Sequence, residues 1–164
     1  MQNSESKNKE LTRAKNVAYR FLTIRPRSRL ELETKLQDKG FTEEVRGQVL
    51  SDLARYGYVD DEKFARQWAQ SRIRLRGFGK RRLVQELKSK GIHRDIIQEV
   101  LRGAFEDSSE KDVALREAEK KLKSLARFGP EARRRRLAGL LERKGFSFEI
   151  IGEILRKLPK QETL

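Results

Sequence analysis

Leu83-Val84-Gln85-Glu86-Leu87-Lys88-Ser89-Lys90-Gly91-Ile92 decides the fold, because the chain contains this pattern three times. The earlier copy is Leu32-Glu33-Thr34-Lys35-Leu36-Gln37-Asp38-Lys39-Gly40-Phe41. The later one is Leu137-Ala138-Gly139-Leu140-Leu141-Glu142-Arg143-Lys144-Gly145-Phe146. Each has leucine eight and four residues before a glycine, a lysine directly before it and a large apolar residue directly after. The stretch beyond that apolar residue repeats too. Val45, Ile96 and Ile150 lie four residues past it. Val49, Val100 and Ile154 lie eight past it, and Leu50, Leu101 and Leu155 nine past it. Those offsets fall on one face of a helix.

The glycine has a mechanical role. It suits the residue just past a helix end, where the chain turns through the left-handed region that glycine enters without a Cβ penalty. Counting back from Gly40, Leu36 and Phe41 take the two positions whose apolar contact accompanies this cap. Leu87 with Ile92, and Leu141 with Phe146, repeat it. The lysine before the glycine suits the negative helix end. Thr42 and Ser147 read as N-caps of the next helix, and His93 as a weaker one.

A further helix precedes each pair. It is marked by Val17, Ala18, Phe21 and Leu22, then by Phe64, Ala65, Trp68 and Ala69, then by Val113, Leu115, Ala118, Leu122 and Leu125. The joints hold Pro26, Gly77 with Gly79, and Gly129 with Pro130, which interrupt helices. The expected fold is therefore all-α: three tandem three-helix repeats in an elongated, curved array. The expected divisions are a polar N-terminal segment at 1–13, repeats at 14–59, 60–105 and 106–158, and a tail at 159–164.

Composition bounds the function. Leu, Ile, Val and Phe exceed a quarter of the 164 residues, above the roughly 20% floor below which chains stay unfolded. There is no cysteine, which removes disulfide scaffolds, thiol catalysis and cysteine zinc sites. No apolar run approaches a membrane span. Met1–Glu10 lacks the apolar core of a secretory signal, so the expected location is the cytoplasm. Lys and Arg number 39 against 25 Asp and Glu, a net charge of +14. The surplus extends over all three repeats and favours a polyanionic partner.

The middle repeat carries the most specific string. Tyr58-Val59-Asp60-Asp61-Glu62-Lys63-Phe64-Ala65-Arg66 is followed by Ser71-Arg72, Gly79, Leu83, Glu86-Leu87 and Lys90-Gly91-Ile92. In order and spacing this resembles the RecX family of bacterial regulators of the RecA recombinase. The first repeat resembles that family's opening repeat through Ser28, Glu31-Leu32, Lys35-Leu36 and Lys39-Gly40-Phe41. The third resembles it more loosely, through Arg143-Lys144-Gly145-Phe146. The resemblance implies three tandem three-helix repeats in a curved rod and a non-enzymatic regulator. Such proteins lie in the groove of the RecA–single-strand DNA filament, inhibit its ATPase and strand exchange, and block its growth or promote its disassembly. They also bind DNA themselves. The expected partners are thus the RecA filament and single-stranded DNA, with double-stranded DNA as a further candidate, no membrane and no cofactor. The chain itself is expected to be a monomer.

Arg72, Arg74, Arg76, Lys80, Arg81 and Arg82 place six basic residues in eleven, with no acid among them. They read as a patch for phosphates or for an acidic filament groove. Phe78 lies among them as the best exposed aromatic for stacking on a base. Tyr56, Tyr58 and Trp68 lie nearby in sequence, but Trp68 is spaced from Phe64 for core packing. Arg133, Arg134, Arg135 and Arg136 form a second cluster. Consecutive helical residues point around the axis, so only some can share a face. Arg133, Arg134 and Arg136 are the binding candidates, and Arg135 is placed to pair with Glu131 or Glu142. Asp60, Asp61 and Glu62 fit a helix start better than a metal or acid–base site. His93 is the only histidine and has no nucleophile or carboxylate at motif spacing. Gly77-Phe78-Gly79-Lys80 lacks the spacing of a phosphate-binding loop. No catalytic set converges. A general DNA-binding or architectural protein that acts by competing for DNA is the alternative function.

Overall fold

A computed structural model of the chain describes residues 2–157. Met1 and residues 158–164, which include the expected tail at 159–164, lie outside the described residues. The described residues form nine α-helices and no strand. The first repeat holds α1 (Gln2–Ile24), α2 (Arg29–Asp38) and α3 (Glu43–Arg55). The second holds α4 (Asp61–Arg76), α5 (Lys80–Ser89) and α6 (Arg94–Gly103). The third holds α7 (Glu110–Leu125), α8 (Pro130–Arg143) and α9 (Phe148–Lys157). Helix α1 runs back to Gln2, through the polar opening of the chain.

The repeated glycines sit where the pattern places them. Gly40, Gly91 and Gly145 have φ of 82°, 74° and 88°. Behind Gly40, the Phe41 N–H donates to the Leu36 carbonyl at 3.3 Å and the Gly40 N–H to Gln37 at 2.9 Å. Phe146 and Leu141 repeat the first bond at 3.2 Å, and Gly145 and Glu142 the second at 2.9 Å. These bonds satisfy carbonyls that a helix end would otherwise leave bare. The next helices are capped as read. The Thr42 hydroxyl accepts from the Val45 N–H at 3.4 Å, and the Ser147 hydroxyl from the Ile150 N–H at 3.3 Å. His93 Nδ1 accepts from the Asp95 N–H at 3.4 Å.

By internal contacts the chain forms two compact units. One holds residues up to Ala65 together with Lys88–Ile96; the other holds Arg66–Leu87 together with the residues from Ile97 on. The core of the first gathers Ala14, Ala18, Leu32, Leu36, Phe41, Val45, Val49, Leu50, Leu53 and Val59. In the second, Val113, Ala114, Ala118, Leu137, Leu141, Phe146, Ile151 and Ile154 form the core cluster of the third repeat. Leu155 is half-buried where Leu50 and Leu101 are buried, and one further position differs. Ile96 and Ile150 are only half-buried, while their neighbours Ile97 and Ile151 are buried. Adjacent helical residues lie about 100° apart, so within α6 and α9 the buried face is displaced by one residue along the sequence.

Each unit contains the same seam, in which the joint before one repeat's second helix meets the glycine turn of the following repeat. In the first unit the joint is Ser28. Its hydroxyl caps α2 by accepting from the Glu31 N–H at 3.2 Å and donates to the Lys90 carbonyl at 2.7 Å. The Arg29 N–H donates to Asp61 Oδ1 at 2.8 Å. In the second unit the joint is Gly79, whose N–H donates to the Lys144 carbonyl at 2.8 Å. The Lys80 N–H donates to Glu110 Oε1 at 2.8 Å. Asp61 and Glu110 each open the first helix of a repeat, and each caps the second helix of the repeat before. Asp60 instead caps its own helix, accepting from the Lys63 N–H at 2.9 Å.

The lysine before each of these two glycines serves the seam. Lys90 Nζ lies 2.7 Å from Glu31 Oε1, and Arg25 donates to both oxygens of Glu31 at 3.0 and 3.1 Å. The Ser28 N–H adds a bond of 3.2 Å. Burial by itself would raise the Glu31 carboxyl. The bonds from Arg25, Lys90 and Ser28 outweigh it and bring the pKa from 4.5 to about 2. A lowered carboxyl stabilises the fold above its unfolded pKa, and that stabilisation is lost as pH falls through the folded value. Thermal melts between pH 4.5 and pH 2 are therefore expected to fall more steeply for the native chain than for Glu31→Gln. Parallel curves would remove this cluster from the acid response. In the second unit Lys144 Nζ lies 2.8 Å from Glu117 and donates to the Arg76 carbonyl at 2.5 Å. Burial opposes ionisation of Glu117, but Lys120 and Lys144 hold its carboxyl below the ordinary value.

Candidate nucleic-acid and partner interface

The basic run of the middle repeat covers the end of α4, the 77–79 joint and the first turn of α5. All of it lies in the second unit. The sequence shows no acid within the run, but folding brings one to it from the next turn of α5. Glu86 Oε2 accepts from Arg72 Nε at 3.1 Å and from Trp68 Nε1 at 2.9 Å. Glu86 Oε1 lies 3.4 Å from Arg82 Nε. The Arg72 guanidinium also sits 4.1 Å from the centre of the Trp68 ring. Arg72 therefore pins α4 to α5 through Glu86, while Arg82 pairs with the same carboxylate along α5.

The exposed part of the patch is Arg74, Arg76, Lys80, Arg81 and Arg82, with Arg82 turned toward Glu86. Lys80 and Arg81 stand in the first turn of α5, at the positive end of its dipole, where basic residues are disfavoured. Glu110 offsets part of that through the Lys80 N–H. The remaining positive field faces solvent and suits an anion.

Phe78 is less open than the sequence suggests. It is half-buried, and the Arg82 guanidinium lies 5.3 Å from its ring centre. The open ring beside this patch is Phe148, 68% exposed, with the Arg81 guanidinium 5.4 Å from its centre. Sequence reasoning missed it because Phe148 lies far along the chain from Arg81. Tyr56 and Tyr58 are exposed in the first unit, where Tyr58 packs edge-on against Tyr19 with ring centres 5.3 Å apart.

The second arginine cluster occupies the first half of α8, and much of it is engaged locally. Arg133 Nε donates to the Phe128 carbonyl at 2.7 Å. Arg134 Nη1 donates to the Leu155 carbonyl at 2.8 Å, bringing a cation to the end of α9. The Arg136 guanidinium lies 4.1 Å from the centre of the Phe128 ring. Arg135 is exposed.

Among the described residues, no group of three His, Cys, Asp or Glu could hold a metal ion. No helix among them is long and apolar enough to cross a membrane. His93 is exposed beside Asp95.

Three family models match the chain. Residues 14–61 match the family model "RecX, first three-helix domain", residues 60–101 match "RecX, second three-helix domain", and residues 109–155 match "RecX, third three-helix domain". The chain belongs to the RecX family. It is 39% identical over 153 residues to the regulatory protein RecX of Mycobacterium avium (strain 104), covering 93% of this chain and 87% of that one. It is 32% identical over 149 residues to the regulatory protein RecX of Streptomyces coelicolor, covering 91% and 79%. The crystal structure of RecX from Lactobacillus salivarius superimposes with a TM-score of 0.80 at 22% identity, over 92% of this chain and 97% of that one. At that identity the likeness speaks for the fold: three three-helix domains in tandem.

Proposed function

We propose that this chain is a non-enzymatic regulator of the RecA recombinase. It docks on the RecA–single-strand DNA filament, inhibits ATP hydrolysis, strand exchange and filament growth, and makes its own contacts to DNA. The supporting observation is the conjunction of RecX membership with an outward basic joint at Arg74, Arg76, Lys80 and Arg81. Arg133, Arg134 and Arg136 on α8 form a secondary contact set, with their charges reaching a partner while their other atoms hold local structure. Arg72, Phe78 and Arg82 shape the joint on which the patch rests. The chain acts in the cytoplasm as a monomer.

Tandem repeats suit this task. Several weak contacts presented by one chain sum to strong binding when their spacing matches a repeating partner. Bridging neighbouring protomers opposes the rearrangements that accompany ATP turnover. The test is single-strand-dependent ATP hydrolysis by preformed RecA filaments, with this protein added well below one per protomer. Loss of hydrolysis at that ratio is the expected result. Loss only at amounts that saturate the DNA would overturn the reading in favour of a DNA-binding protein that competes for the strand.

A further inference from the structure

We propose that Phe148, with Arg81 over its ring, is a stacking site for an unpaired base of single-stranded nucleic acid, and that Arg76 and Lys80 of the same joint supply charge for the flanking backbone. This deepens the DNA contact in the proposed function and rests on that reading.

Three observations carry it. First, Phe148 is 68% exposed although Phe146, two residues earlier, is completely buried. An exposed phenylalanine by itself is ordinary. This one has a guanidinium 5.4 Å from its ring centre, in the most basic stretch of the middle repeat.

Second, the backbone beneath both partners is fastened. The Arg81 N–H donates to the Gly145 carbonyl at 3.1 Å, so the first turn of α5 is fastened to the turn that leads into α9. Ser147 caps α9 through the Ile150 N–H, which fixes Phe148 at the first helical position. A fixed backbone beneath the ring and the cation lowers the ordering cost of binding.

Third, the chemistry matches one ligand class. A phenyl ring has no donor or acceptor, so it recognises the flat face shared by every base and not a sequence. Arginine stacks on the same faces and also neutralises phosphate. In a duplex those faces are occupied by neighbouring bases, so an exposed surface ring reaches them only on a single strand.

The test uses the full chain and a fluorescein-labelled oligo(dT), read by anisotropy without RecA. Phe148→Ala is expected to weaken binding roughly tenfold, within the range for loss of one stacked aromatic, with an unchanged salt slope because no phosphate contact is removed. Phe148→Tyr keeps the ring and is expected to restore the affinity. A matched duplex and an abasic oligomer are expected to bind the native chain and Phe148→Ala alike. Equal loss on the duplex or the abasic oligomer would overturn the stacking site. Unchanged oligo(dT) affinity would also overturn it, and if filament binding alone weakened, Phe148 would be assigned to the protein partner. Since RecA is absent, failure here is separate from failure of the filament reading, which the ATPase assay decides. Circular dichroism of the variants checks folding, and the exposure of Phe148 makes the substitution mild.

Discussion

Gly145→Ala is expected to destabilise the chain by about 3 kcal/mol, well beyond the cost of the same change at Gly40. Both glycines have a left-handed φ, 88° and 82°, and both would lose about 1–2 kcal/mol from that alone. They differ in what surrounds them. A Cβ on Gly145 would lie 2.3 Å from the Arg82 backbone nitrogen and 2.8 Å from its Cα, whereas a Cβ on Gly40 meets nothing within 4 Å. Backbone at the start of a helix cannot swing aside like a side-chain tip, and overpacking of this kind costs roughly 1–3 kcal/mol. Gly91 falls between: its Cβ would lie 2.6 Å from that of Leu30, on a half-exposed side chain. The expected order of urea midpoints is therefore Gly40→Ala highest, then Gly91→Ala, then Gly145→Ala. Equal midpoints for the three would mean that the glycines serve only the helix ends and not the seams. The asymmetry follows the seams: the turns at Gly91 and Gly145 receive the joints at Ser28 and Gly79, and the turn at Gly40 meets none.

Arg76→Glu combined with Arg81→Glu is expected to weaken binding to single-stranded DNA and to the RecA filament by tenfold or more at moderate salt. Each phosphate neutralised by a side chain contributes about 0.7 to the slope of log affinity against log salt for a single strand. Losing two such contacts should flatten the slope by about 1.4. Reversing the charges adds repulsion, so the deficit should be largest at low salt and shrink as screening grows. Helical content should be unchanged, because both side chains are exposed. Arg72→Glu should behave differently. It would set a carboxylate against Glu86 and remove the cation from Trp68, and its main effect is expected on stability. A double reversal at Arg76 and Arg81 with unaltered affinity and slope would remove this joint from the interface.

The local architecture was legible in the sequence because its determinants are local. Leucine spacing before a glycine, a large apolar residue after it and a hydroxyl at the next helix start all act within a turn or two. Each therefore predicts its own structure: Gly40, Gly91 and Gly145 are left-handed, and Thr42 and Ser147 cap as read. The threefold repeat made the all-α reading firm, and the Tyr58–Arg66 string pointed to the RecX family.

What only the tertiary structure decided concerns atoms far apart in the chain. Asp61 reads locally as a cap of its own helix, yet it caps α2, more than thirty residues earlier. Glu110 does the same for α5. The run from Arg72 to Arg82 reads as six equivalent charges, but Glu86 engages Arg72 and Arg82, and Arg72 alone of the six is not exposed. Phe78, adjacent in sequence, is half-buried, while Phe148 stands open beside Arg81. By itself the sequence determined the helices, the ends marked by glycine turns and hydroxyl caps, and their repetition, though not the start of α1 at Gln2, because hydrogen bonds along a helix and its caps span only a few residues. Which side chains face solvent, and which charge meets which ring, depended on how successive repeats dock, because burial is settled by surfaces that distant parts of the chain bring together.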